Sequence, residues 1–136
     1  TASMAFDSGS TIESRKRKIY ISGDGGYGKH FTEAGERFKG FDLALIENGQ
    51  YDDHWKCVHM APEESVQAVL DLHAKAALPV HSGRFSISNH SWDDPLLRFC
   101  AASQGKNYRL LTPVIGQPVF LDDKEQEFTQ WWERKN

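Results

Sequence analysis

The sequence predicts a layered α/β domain in which helices pack on a largely parallel sheet. Three observations predict it. Short apolar segments alternate with amphipathic ones in the order strand, helix, strand, helix, strand, helix. The segment "DLALIE" is a continuous apolar run between polar residues, the pattern of a strand covered on both faces. The segment "KIYIS" breaks into a turn of glycines around Asp24, and a helical pattern follows at once.

The elements follow in chain order. Residues 18–22 alternate, with Ile19 and Ile21 on one face and Tyr20 on the other. Residues 28–39 place Phe31, Ala34, Gly35 and Phe38 on one side of a helix. Residues 42–47 are the doubly covered strand, and residues 48–60 are a polar and aromatic loop. Pro62 suits the first position of a helix, with Glu63 and Glu64 meeting the positive end of its dipole. Val66, Val69, Leu70, His73, Ala76 and Ala77 read as its apolar stripe. Residues 78–81 read as a short strand ending in a turn, and residues 95–103 as another helix. Residues 112–121 read as one or two strands interrupted by prolines, and residues 3–6 as strand at the very start. With no repeat and no low-complexity linker, residues 1–136 form one domain, and 122–136 are a terminal helix or tail docked by Trp131 and Trp132.

Bulk properties narrow the function. The chain has 136 residues, 39% hydrophobic and 26% charged, which suits one globular domain. The net charge is −3 and no basic stripe interleaves with aromatics, so nucleic acid is not an expected partner. The basic run at 15–18 reads as a solvated edge. No stretch reaches the roughly 20 apolar residues of a transmembrane helix. Cys57 and Cys100 make no metal or redox spacing and suit a reducing compartment such as the cytoplasm. The chain opens without methionine and already in strand pattern, which points to a missing upstream half.

The glycine turn admits three chemistries. Gly23, Gly25 and Gly28 satisfy G-x-G-x-x-G between a strand and a helix, and Glu47 ends the next strand where a ribose-binding acid belongs. Electrostatics oppose that dinucleotide reading, because Asp24 would lie beside the pyrophosphate and against the helix dipole. Asp24 as a helix N-cap is the plain structural reading. Asp24 as an oxygen donor to a cation is the third, since the glycines leave both carboxylate oxygens accessible. His81 favours the third. It too ends a strand, is followed by Ser82 and Gly83, and would project at the same edge of a parallel sheet.

The ordered series "IYISGDGGYGKHFTEAGERFKGFDLALIENGQYD", "HMAPEESVQAVLDL" and "PVHSGRFSISNHSWDDP" resembles the C-terminal half of metallo-β-lactamase-fold hydrolases. The similarity covers residues 3–95 and points to the branch containing N-acyl-phosphatidylethanolamine-hydrolysing phospholipase D. The resemblance implies half of a four-layer αββα sandwich with a dinuclear zinc site at one edge. It implies Asp24 as the metal-bridging carboxylate and His81 as the terminal ligand of the second metal. It places His59 and Tyr51 in catalytic positions and Tyr27 toward the substrate. Two zinc ions would activate a water for attack on a phosphodiester, lactone or similar ester or amide of a small or lipid-like molecule.

The sequence departs from that family in one respect. No His-x-His-x-Asp-His motif is present, and His30, His54 and His73 do not replace it. A catalytic zinc takes about three protein ligands, and the sequence reading finds only Asp24 and His81. The expectation is that the 136 residues alone cannot form the dinuclear centre and are inactive without the missing N-terminal half. The rival expectation is a non-catalytic half-domain that self-associates or pairs with another chain through an uncovered sheet face. Of the remaining residues, His90 either reaches the site from the loop after His81 or holds that loop by a hydrogen bond. Arg84 reads as surface, Trp55 lies near the mouth of the site, and Trp92, Trp131 and Trp132 read as packing.

Overall fold

The computed structural model describes residues 9–133. Its elements are β1 (Ser10–Glu13), β2 (Lys18–Ile21), α1 (His30–Phe38), β3 (Leu43–Glu47), α2 (Pro62–Asp71), β4 (Ala76–Val80), α3 (Asp94–Ser103) and β5 (Arg109–Leu110). The strands form one sheet in the order β1-β2-β3-β4-β5. The β1–β2 pair is antiparallel, and the other neighbours run parallel. The strand expected over residues 3–6 lies outside the described residues.

One face of the sheet carries the helices. Tyr20, Ala44, Ile46 and Ala77 from the strands join Phe31 of α1, Val66 and Val69 of α2, and Phe99 of α3 in a single buried cluster. The opposite face carries Leu43, Ala76 and Leu111, with Ile19, Leu45 and Leu78 packed beside them. Val119, Leu121 and Phe128 cover that face in part. The sheet face expected to lie bare is therefore partly covered by the chain's own C-terminal segment. Period-two alternation puts successive β3 residues on opposite faces, so "DLALIE" is apolar throughout because both faces are occupied.

Local chemistry sets the ends of the helices. The Gly40 N–H bonds the Gly35 carbonyl at 3.0 Å, and Lys39 adopts φ 56°, closing α1 with a left-handed residue. Pro62 opens α2, and Glu64 Oε2 accepts the Ala61 N–H at 2.9 Å.

Three sequence expectations change here. The apolar stripe assigned to one helix as far as Ala77 belongs to two elements. Helix α2 stops at Asp71, His73 takes φ 51°, and Ala76 and Ala77 lie in β4. A buried parallel strand and a helix stripe are equally apolar, so periodicity alone cannot divide them. Residues 112–121 form no strand beyond the short β5, because Pro113 and Pro118 cannot donate to a ladder. Residues 122–133 are turns and irregular chain, not helix, although Trp132 is buried and meets Trp131 edge-on at 5.7 Å.

Asp42 ties the start of two strands together. Its carboxylate accepts the Lys18 N–H at 3.0 Å and the Lys75 Nζ at 2.9 Å. These bonds, led by the backbone one, hold the Asp42 carboxyl below its ordinary value of 3.8. A depressed carboxyl adds stability above the ordinary carboxylate range and loses it as pH falls through the lower folded value. The variant Asp42→Asn is expected to cost about 1–2 kcal/mol at pH 7. The deficit should shrink below about pH 4, as read by urea unfolding at both pH values. An equal deficit at both would contradict the assignment.

Candidate metal centre

Parallel strands bring their C-terminal tips to one edge, and the candidate site is built there. Asp24 follows β2, Glu47 is the last residue of β3, and His81 follows β4. His59 lies in the loop that leads to α2.

The backbone around these residues is tied down. Ser22 Oγ accepts the Glu47 N–H at 2.8 Å, and Ser65 Oγ donates to the Glu47 carbonyl at 2.7 Å. The Asn48 N–H bonds the Val80 carbonyl at 2.9 Å, which fixes the β3 exit against the β4 exit. The Gly26 N–H bonds the Cys57 carbonyl at 3.1 Å. A Cβ at Gly26 would come within 2.7 Å of the same carbonyl, so only glycine lets the turn lie on the 52–59 loop.

His81 Nε2 lies 3.3 Å from Asp24 Oδ1. Two ligands on one tetrahedral zinc, each at about 2.0–2.1 Å, sit roughly 3.3–3.4 Å apart. The pair therefore has the spacing of two ligands to a shared ion. One imidazole nitrogen each from His59 and His81 and one carboxylate oxygen of Glu47 also lie within 4.8 Å of one another. The His59 and His81 ring centroids are 5.3 Å apart. His59 Nδ1 hydrogen-bonds Glu47 Oε1, and Glu47 Oε2 accepts the Gly25 N–H at 3.3 Å. The two imidazoles and the Glu47 carboxylate that converge here are donor types that suit zinc. Burial pushes the Glu47 carboxyl above its ordinary value, with the His59 bond opposing.

The other residues singled out in sequence are distributed around this cluster. Tyr51, His59 and His90 line one cavity of about 500 Å³, together with Lys56, Asp94 and Arg98. The Tyr51 hydroxyl bonds Asp94, its ring stacks on His90 at 4.3 Å, and the Arg98 guanidinium lies 5.0 Å from the ring centre. Burial and Asp94 both push the Tyr51 hydroxyl up, so it is a neutral donor at pH 7. His90 Nε2 accepts the Gln50 N–H at 2.8 Å, and Nδ1 faces the Ser91 carbonyl at 2.8 Å. Both ring nitrogens thus hold the loop. Tyr27 is not gathered into the cluster. Its hydroxyl donates to Asp71 at 2.5 Å, which raises it to about 12, and its ring stacks on Phe31. Trp55 Nε1 donates to the Gln50 carbonyl at 2.7 Å, and Arg84 lines a cavity of about 290 Å³ beside His81.

Sequence reasoning missed two residues. Glu47 enters the sequence analysis only through the dinucleotide reading that Asp24 opposes; its complete burial is the signal for another use. Gln50 is buried and bonds both Phe85 and Ile87, stapling the loop after His81. The dinucleotide reading loses its cradle, because Glu47 and Cys57 take the Gly25 and Gly26 N–H groups.

Comparison with known proteins identifies the family and the fold. The model of the beta-lactamase superfamily domain matches residues 7–82. Outer membrane protein RomA of Klebsiella pneumoniae is 56% identical over 69 residues, which are 51% of this chain and 52% of that protein. The N-acyl-phosphatidylethanolamine-hydrolyzing phospholipase D of Saccharomyces cerevisiae is 36% identical over 110 residues, 76% of this chain and 24% of that one. The chain thus spans about half of the first relative and about a quarter of the second. Among solved structures, the metallo-beta-lactamase fold protein YhfI of Bacillus subtilis superposes with a TM-score of 0.55 at 19% identity. That match covers 74% of this chain and 38% of the other. A proposed Zn-dependent hydrolase of the metallo-beta-lactamase superfamily from Thermotoga maritima superposes with a TM-score of 0.52 at 16% identity, covering 74% and 54%. With a family match over more than half its length and strand tips in the same fold, this chain belongs to the beta-lactamase superfamily domain family and carries half of an αββα metallo-β-lactamase sandwich.

Proposed function

We propose that this chain supplies the C-terminal half of a zinc-dependent hydrolase centre. Asp24 and His81 would hold metal, His59 and Tyr51 would act on the reacting group, and the His90 loop would bound the substrate side. The observation that carries this reading is the 3.3 Å approach of Asp24 to His81 from strand tips on either side of β3. When bound, zinc supplies Lewis-acid polarisation and an activated water. The chain's own groups do the rest. Tyr51 stays protonated, with its O–H held by Asp94 at the wall of the cavity. His59 Nδ1 is held by Glu47, which fixes the ring and turns Nε2 away from that bond. The cavity that His59 and Tyr51 share is large enough for a small-molecule or headgroup-sized substrate. A phosphodiester is the substrate class we favour, in keeping with the phospholipase D named among the similar proteins; a lactone or related ester fits the same centre.

The chain lacks a His-x-His-x-Asp-His motif, so we assign the remaining ligands of a dinuclear centre to a first half bearing it, upstream in the same polypeptide or on another chain. Val119, Leu121 and Phe128 already cover part of the sheet's second face, which lessens the case for self-association as the chain's purpose. The test assays zinc-dependent hydrolysis of bis(4-nitrophenyl) phosphate by the 136-residue chain with and without such a first half. Activity is expected only in the assembled protein, to be removed by chelation, and to fall by about 100-fold or more in Asp24→Asn. Metal-independent hydrolysis, or full activity in Asp24→Asn, would overturn the proposal.

A further inference from the structure

Two cavities flank the His59–His81 pair, whose rings lie 5.3 Å apart. The one beside His59 is charged, with Lys56, Asp94 and Arg98 in its wall. The other, of about 280 Å³, is lined by residues 78–82, Leu96, residues 112–117 and Trp131. Among the described residues, no Asp, Glu, Lys or Arg lines it. Val114 and Ile115 of its wall are 45% and 73% exposed, so apolar surface continues from the cavity to solvent. Trp131 is seated against the metal-bearing edge. A Cβ at Gly83 would come within 2.9 Å of its ring, so glycine lets the loop after His81 lie on the indole. The Trp131 Nε1 is buried and has no hydrogen-bond partner among the described residues. A buried indole N–H ordinarily has an acceptor, and leaving it unpaired is costly.

We propose that this uncharged cavity binds the acyl chain of an amphiphile whose polar head lies in the charged cavity on the other side of the pair. Its wall disfavours charge and accepts methylenes. At about 280 Å³ it is small for a whole ligand and suits one aliphatic arm of it. An acyl group also carries a carbonyl oxygen, the acceptor that the Trp131 N–H lacks. Leu96, residues 112–117 and Trp131 lie beyond the residues 7–82 matched by the family model, so the family match assigns this wall no role. That the amphiphile is a substrate rests on the hydrolase reading above; that the cavity holds a chain does not.

Calorimetry of the 136-residue chain with the butanoyl, hexanoyl and octanoyl monoesters of glycerol, each below its aggregation concentration, tests the binding. One saturable site is expected, tightening by about threefold per added methylene as the chain fills the cavity. Ile115→Glu, at an exposed position, should weaken octanoyl binding by about tenfold, with far-UV circular dichroism confirming the fold. Trp131→Phe keeps a ring against Gly83 but loses the N–H, and should weaken it by about threefold. In the assembled protein, Ile115→Glu should also lower the kcat/KM preference for an octanoyl-bearing phosphodiester over bis(4-nitrophenyl) phosphate by about tenfold. No saturable binding, affinity independent of chain length, or parental octanoyl binding in folded Ile115→Glu would overturn the chain site. Parental binding in folded Trp131→Phe would overturn the carbonyl contact. Chain binding with no such kcat/KM preference would overturn the substrate assignment. An assembled protein that hydrolyses neither phosphodiester while the chain still binds the esters would contradict the hydrolase reading alone.

Discussion

The His81→Ala variant is expected to lose zinc affinity by about 100-fold or more while keeping its fold. The imidazole is only partly buried, at 27% exposure, and its main polar contact is Asp24. Removing it takes away one nitrogen donor and leaves no large core cavity, so the stability cost should stay near 1 kcal/mol. The loss falls almost wholly on the metal, because the remaining carboxylates are weaker donors for zinc than imidazole plus carboxylate together. Calorimetry and thermal unfolding, run side by side, separate the two effects. A variant that melts far below the parent, or that binds zinc unchanged, would contradict the assignment.

A second large effect is expected at Gly49. Its backbone lies so close to the β4 exit that a Cβ would overlap the His81 carbonyl oxygen and sit 3.2 Å from Ser82 Cβ. The neighbouring atoms are mostly backbone and cannot swing away. Gly49→Ala should therefore cost about 2–3 kcal/mol through overpacking. It should also push His81 away from Asp24, so metal affinity falls although no ligand is changed. Urea unfolding reads the first effect and zinc titration the second. Gly49→Ala with parental stability and affinity would show that this contact relaxes freely.

The sequence exposes the α/β order because strands and helices here differ in period and in their ends. Pro62, the acidic first turn of α2 and the unbroken run of β3 each have a direct physical reading. Strand β1 escapes notice because "STIE" is mostly exposed and shows no apolar alternation. The α2–β4 boundary escapes because nothing in "LHAKAAL" marks the left-handed backbone at His73. The tail fails as a helix because Trp131 and Trp132 are packing residues first, and their burial needs no helical period. In the site, Asp24 and His81 are legible as similar residues at similar strand exits. The Glu47–His59 pair is not, since its members are 12 residues apart across an irregular loop. Nothing in their spacing announces the contact. Only complete burial of a carboxylate does, and burial at a strand tip depends on the loop that folds over it.

The central claim is that Asp24 and His81 reach one cation from separate strand tips. Anomalous scattering at the zinc edge, from crystals of the chain grown with zinc, tests it most directly. The expected result is a peak within about 2.3 Å of both the His81 ring and the Asp24 carboxylate. A peak elsewhere, or the two side chains turned apart with no ion touching both, would contradict it.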